Sequence, residues 1–332
     1  MGHSALDMDR PARPGGRRRS PGIGATLFAM RRRTAALVIL VMVSLAACSV
    51  APSATPTSAG GQVGDYSVLP AIVSTELAVG QNRVVFSFLD PKTNLPAAAP
   101  DRTVSLKAYP DAKGPSAAIT GEGHFVWATQ GVNGFYYTYL TFDEAGAWTA
   151  EFTTQTPSSA AETIPFKFDV AATRTAIGIG DQVPSVKTPT LADFGGDVKQ
   201  ISTDQSPDPA LYQVSEDQAV AQHDPFVLVF ATPAFCQTQT CGPMLDQVKA
   251  IAAQFPTVTF INVEPYKLHM TDTGLQPILD ASGNLQPVPA VDAFKIVTEP
   301  WTYVVDRTGK VTASFEGVIG TDELTAAVKA IQ

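Results

Sequence analysis

Two cysteines, Cys236 and Cys241, follow directly on an unbroken apolar run, Phe226-Val227-Leu228-Val229-Phe230, with four residues between them. Two thiols this close can exchange electrons with other thiols, hold a soft metal, or staple a loop. The run is bounded by Asp224-Pro225 and Thr232-Pro233 and predicts a fully buried strand. Leu245, Val248, Ile251 and Ala252 then mark a helix opening near Cys241. Residues i and i+5 of a helix are separated by roughly 7.5 Å of rise, whereas a disulfide wants Cα atoms about 4.4–6.8 Å apart. If the two sulfurs pair, Cys236 therefore belongs to the loop and Cys241 to the start of the helix. Gly242 is expected to let the backbone turn tightly, and Pro243 costs nothing where the amide has no intrahelical partner. Free amides and the positive end of the helix dipole would stabilise a thiolate, with one thiol titrating below ~8.5. A stabilised thiolate is both nucleophile and leaving group in thiol–disulfide exchange.

Phe230-Ala231-Thr232, Phe235, Cys236 and Cys241-Gly242-Pro243 resemble the thioredoxin superfamily, in particular its membrane-anchored extracytoplasmic members. The usual C-x-x-C is here C-x-x-x-x-C, and Met244 stands where C-G-P-C would place a resolving cysteine. Leu228 occupies the position of the family's buried acid. A second landmark is Thr298-Glu299-Pro300-Trp301-Thr302-Tyr303-Val304-Val305 followed by Asp306-Arg307-Thr308-Gly309, which resembles the cis-proline loop. The resemblance implies a cis bond before Pro300, with Glu299, Pro300 and Trp301 binding an extended substrate beside the dithiol.

The third cysteine, Cys48, has its own explanation. Arg31-Arg32-Arg33 precede an uncharged apolar stretch that ends Leu45-Ala46-Ala47-Cys48. This is the layout of a secretory signal. Its ending resembles a bacterial lipobox, which implies a lipid on Cys48 and a place in the bacterial cell envelope, on the outer face of the plasma membrane or in the periplasm. The apolar stretch is shorter than the ~20 residues that a spanning helix needs, which weighs against a transmembrane anchor. Met30 opens a complete signal by itself, so residues 1–29 are taken as a misplaced start or a leader. Setting aside the eight Arg and two Asp of residues 1–47 leaves 15 basic and 29 acidic residues, a formal charge of −14. That balance excludes a nucleic-acid surface.

Residues 48–64 are mostly Ala, Pro, Ser, Thr and Gly and are expected to form a tether. Residues 65–172 carry seven short alternating runs, at 71–79, 83–90, 103–109, 124–128, 134–142, 148–154 and 163–170. Such spacing predicts an all-β, immunoglobulin-like sandwich. With no cysteine and only His124 among histidines, this domain is expected to act as a spacer or docking module, with an exposed sheet edge as its means of recognition.

Residues 173–190 form the linker and lead-in, and 191–332 an α/β, thioredoxin-like domain. Ser215 and Gln218 frame a capping box for a short helix to Gln222, and residues 258–263 form a second buried strand. Runs 275–279 and 285–288, flanking Asp280-Ala281-Ser282-Gly283-Asn284, are expected to make a β-hairpin. A short helix is expected over 289–295, and Thr321-Asp322-Glu323 should cap the last one.

The leading functional expectation is a lipid-anchored thiol–disulfide oxidoreductase acting on protein thiols or disulfides, with an electron donor or acceptor as second partner and no cofactor or structural metal. Cys236 and Cys241 share the chemistry. Position after the strand favours Cys236 as the nucleophile, and the Cys-Gly-Pro identity favours Cys241. Asp246 and Glu299 are the candidate bases in the absence of an acid at Leu228. Three alternatives compete: a peroxiredoxin-like peroxidase, a Sco-like copper module using both cysteines with His269 and Met270, and a purely structural disulfide.

Overall fold

Alternation of apolar and polar residues along strands such as Thr103–Pro110 and Asn133–Phe142 turns one face inward. The computed structural model describes residues 65–332; the signal, Cys48 and the tether lie outside the described residues. Eight strands form the first domain: β1 (Leu69–Ile72), β2 (Gly80–Leu89), β3 (Thr103–Pro110), β4 (Ile119–Glu122), β5 (His124–Thr129), β6 (Asn133–Phe142), β7 (Gly146–Gln155) and β8 (Glu162–Val170). They pair antiparallel in two four-stranded sheets, ordered β1-β2-β6-β5 and β4-β3-β7-β8. Phe86, Phe88, Tyr136, Trp148 and Phe152 fill the space between the sheets and are fully buried. The Tyr136 hydroxyl donates to the Ala99 carbonyl at 2.7 Å, so the buried ring carries no orphan polar atom.

Two details differ from the sequence reading. The run 71–79 is a strand only through Ile72, because the chain leaves the first sheet at Val73 and then bridges from Ala78 to Ala171, just past β8 of the other sheet. The additional strand β4 was too short and too Gly-rich to stand out; it pairs with β3 at the sheet edge. His124 is solvent-exposed on β5.

The second domain contains α1 (Glu216–Gln222), β9 (Phe226–Phe230), α2 (Cys241–Ala252), β10 (Thr259–Val263), β11 (Leu268–Thr271), β12 (Gly274–Pro277), α3 (Pro289–Phe294), β13 (Trp301–Val305), β14 (Val311–Glu316) and α4 (Thr321–Lys329). Its main sheet runs β10-β9-β13-β14, with β9 and β10 parallel and the other pairs antiparallel. β9 is central and buried at all five positions, which explains its unbroken apolar sequence. Val227, Val229 and Ala231 face α2 and α4, whereas Phe226, Leu228 and Phe230 face α3 and the start of the domain. The hairpin falls at β11–β12, ahead of the expected 275–288. Gly274, at φ +101°, supplies the turn, while Asp280–Asn284 closes a second loop through the single bridge between Leu279 and Leu285. Among the described residues no helix is long and apolar enough to cross a membrane.

The two domains are docked. Val318, just past β14, is buried among Val85, Val126 and Ala128 of the sandwich. The Thr75 amide donates to both carboxylate oxygens of Glu316, at 3.0 and 3.1 Å.

Candidate active site

The end of β9 hands the chain to a loop whose conformation is set by its own hydrogen bonds. The Phe235 amide donates to the Thr232 carbonyl at 3.2 Å, and the Met244 amide to the Thr240 carbonyl at 3.0 Å. The left-handed residue of this loop is Gln239, at φ +59°; Gly242, expected to make the tight turn, is an ordinary residue of the first turn of α2. Pro243 sits beside it in that turn, where its missing amide leaves no gap.

Cys236 and Cys241 form a disulfide, with Cα atoms 6.0 Å apart. The two sulfurs differ in access: Cys236 is half-buried and Cys241 is fully buried in the core beneath α2. The Cys241 amide, first in its helix, points at Cys236 Sγ from 3.2 Å, so the positive end of α2 is applied to the accessible sulfur. The Thr238 hydroxyl lies 3.3 Å from the same sulfur and 2.8 Å from that of Thr240.

Glu299 comes to the site from the far side of the sequence. Its carboxylate and the two sulfurs offer donor atoms that all lie within 4.8 Å of one another. It is 6% exposed. The Gln237 amide donates to Oε1 at 3.1 Å and the Tyr266 hydroxyl to Oε2 at 2.6 Å, which orients the group against the disulfide. Burial, and then the bond to Glu299, hold the Tyr266 phenol above its ordinary range, so it remains a donor. Neither Tyr266 nor the Thr238–Thr240 pair was singled out in the sequence. The threonines had a local signal, hydroxyls inside the dithiol loop, whereas Tyr266 lies 33 residues from Glu299 and had none.

The other expected site residues are placed differently. The bond between Glu299 and Pro300 is cis. The Glu299 carbonyl, expected to be free for a partner strand, accepts from Thr238 Oγ1 at 3.2 Å. Pro300 is buried, and its carbonyl accepts from the Gly317 amide at 2.8 Å. Trp301 is 7% exposed, stacks on Tyr303 and donates from Nε1 to Ser314 Oγ, so its ring packs largely within the core. Asp246 is 71% exposed at its side chain and pairs with Lys249 on the outer face of α2. Met244 is 2% exposed, and its sulfur accepts from Thr302 Oγ1 at 3.8 Å, a packing role at the position of the usual second cysteine. His269 and Met270 are exposed on β11, and His269 is not among the donors gathered at the disulfide. After reduction, the residues placed to hold a metal would be Cys236, Cys241 and Glu299 rather than the expected soft set.

A second buried acid supports the loop from behind. Glu264, just past β10, accepts at Oε1 from the Thr203 amide (2.6 Å) and hydroxyl (2.8 Å), and Thr203 Oγ1 in turn accepts from the Ala234 amide at 3.2 Å. Burial pushes the Glu264 carboxyl up to about 7, opposed in part by the hydrogen bonds it receives.

No family model matches this chain, and no curated protein matches it. Among solved structures it is similar to a thio-disulfide isomerase from Thermus thermophilus, at 22% identity and a TM-score of 0.29, over 47% of this chain and 97% of that one. It is also similar to a DUF4426 family protein from Pseudomonas aeruginosa PAO1, at 8% identity and a TM-score of 0.21, over 29% of this chain and 77% of that one.

Proposed function

We propose that this protein is a thiol–disulfide oxidoreductase of the thioredoxin superfamily, held at the outer face of a bacterial membrane by a lipid on Cys48. The observation that carries the redox reading is the asymmetric Cys236–Cys241 pair at the mouth of α2, one sulfur half-buried and the other sealed, with the Glu299 carboxylate beside both. In that reading Cys236 is the nucleophile. Its thiolate attacks one sulfur of a client disulfide; that bond breaks, and the client's other sulfur leaves as a thiolate and takes up a proton. Cys241 then gives its proton to Glu299 and attacks Cys236 Sγ, which releases the first client sulfur and leaves the Cys236–Cys241 disulfide. Two electrons pass to the client, and the same steps in reverse oxidise a dithiol.

The test is a Cys241→Ser variant expressed with its own signal. Mixed disulfides between Cys236 and client proteins should accumulate in it and vanish in Cys236→Ser/Cys241→Ser. No adduct in cells, combined with no reduction of a small disulfide by the purified protein, would remove the catalytic role. A measured equilibrium with glutathione gives the direction of electron flow. A metal-handling reading has one observation in its favour, the convergence of two sulfurs and the Glu299 carboxylate. Copper or zinc that copurifies with the reduced protein and is lost in Glu299→Gln would support it.

A further inference from the structure

The docked sandwich does not merely touch the second domain; it closes a cavity on it. A space of about 220 Å³ is bounded on one side by Val73, Val85 and Phe135 of the sandwich and on the other by Thr238, Thr240 and Val318. We propose that this cavity is a subsite of the redox centre that takes an apolar side chain of an extended client polypeptide close to the client's own cysteine, with the sandwich supplying half of the wall. The proposal rests on the thiol–disulfide reading and assigns the sandwich a part in it.

Three observations lead to that occupant. First, the cavity adjoins the dithiol loop: it is lined by Thr238 and Thr240, which lie between the two cysteines in sequence, and Thr238 Oγ1 is 3.3 Å from Cys236 Sγ. A polypeptide joined to Cys236 therefore has the cavity within reach of its neighbouring residues. Along an extended chain a residue advances about 3.3 Å, so a side chain two positions from a client cysteine arrives within this reach.

Second, the chemistry of the lining is apolar. The acids at its margins are already occupied, Glu316 by the Thr75 amide and Glu299 by Gln237 and Tyr266. Among the described residues no Lys or Arg lines the space to recruit an acidic group. The volume is below the roughly 300–1,000 Å³ typical of sites for drug-sized molecules, which fits a side chain better than a cofactor.

Third, both walls are fixed. Val318 is packed into the sandwich's Val85, Val126 and Ala128 cluster, and Arg83 reaches across to Glu323 on α4. The cavity is thus preformed, and filling it costs little ordering of the protein.

The experiment uses the mature chain and short peptides carrying one cysteine as a mixed disulfide with glutathione, with Leu, Lys or Gly two positions away. A small aromatic disulfide serves as the reference substrate. The Leu peptide should exchange about tenfold or more faster than the Gly peptide, a typical gain for filling an apolar pocket. Val73→Glu, at a position 43% exposed and so tolerant of charge, should bring the two peptides to within about twofold. Phe135→Ser should do the same.

Equal rates for all three peptides, or a Lys peptide faster than the Leu peptide, would overturn the subsite even while the reference disulfide reacts. If neither peptides nor reference exchange, the redox reading fails on its own. The subsite is then judged by direct binding of the Leu peptide with Ser in place of Cys: binding lost in Val73→Glu upholds it, and no binding to the unmodified protein overturns it.

Discussion

Arg83 of the sandwich and Glu323 of α4 form a two-pronged ion pair, with Nε 2.8 Å from Oε1 and Nη2 2.8 Å from Oε2 and side chains only 5% and 6% exposed. The guanidinium also lies over the Tyr137 ring at 4.7 Å, and Glu323 accepts from the Tyr139 hydroxyl and the Gly320 amide. Removing one member of such a buried pair strands the other charge. Arg83→Met should cost about 3–5 kcal/mol in urea denaturation, and Arg83→Met/Glu323→Gln should recover a large part of it. A single-variant cost below about 1 kcal/mol would mean that the pair behaves as a surface contact.

Glu299 imposes a negative charge on both sulfurs while the Cys241 amide opposes it. Glu299→Gln keeps the shape and removes the carboxylate, so in the reduced protein the Cys236 thiolate should form at lower pH. If Glu299 also takes the Cys241 proton, resolution of the mixed disulfide should slow by about 10²-fold. Thiolate ultraviolet absorbance across a pH titration measures the first effect, and single-turnover kinetics the second. An unshifted titration would place the carboxylate outside the electrostatic reach of the thiols.

The exposure difference between the sulfurs has a direct chemical readout. In the reduced, folded protein iodoacetamide should label Cys236 first and spare Cys241, and in denaturant both should react alike. Peptide mapping after a short pulse decides this. Preferential labelling of Cys241 would exchange the roles assigned to the two cysteines.

Two buried carboxyls give the fold a pH dependence of defined sign. Burial pushes both Glu216, whose Oε2 accepts from the Val186 amide at 2.7 Å, and Glu264 up to about 7. Between the unfolded carboxyl pKa of about 4.5 and about 7, the unfolded chain is ionised while the native one retains its proton. Stability should therefore fall as pH rises through that window, by at most about 1.4 kcal/mol per pH unit for each group. Glu216→Gln and Glu264→Gln should each flatten the slope, as followed by urea midpoints at several pH values. A slope unchanged in both variants would assign the effect elsewhere.

Local pattern carried much of this fold. The apolar run of β9, the Ser215–Gln218 cap of α1 and the Cys-Gly-Pro opening of α2 are signals within a few residues, and each stands in the structure at or beside its expected place. The β11–β12 hairpin was displaced because two turn-forming stretches, around Gly274 and around Gly283, compete within one insertion, and sequence alone does not weigh them. What escaped notice was long-range. The bond from Gln237 to Glu299 spans 62 positions and that from Arg83 to Glu323 spans 240, and neither leaves a trace in spacing or periodicity. The packing of Trp301 was hidden for a related reason: a residue next to the proline of a binding loop can turn its ring into the sheet's core, and strand alternation decides which.

One tie between the domains runs beside the proline loop, through Val318, whose side chain is sunk in the sandwich, and its neighbour Gly317, whose amide serves the Pro300 carbonyl. Loosening either body would thus disturb the support of the proline loop. Heating the mature protein in a calorimeter should accordingly give one cooperative melting peak rather than two, and protection against amide exchange in β13 should fall in step with that in β2.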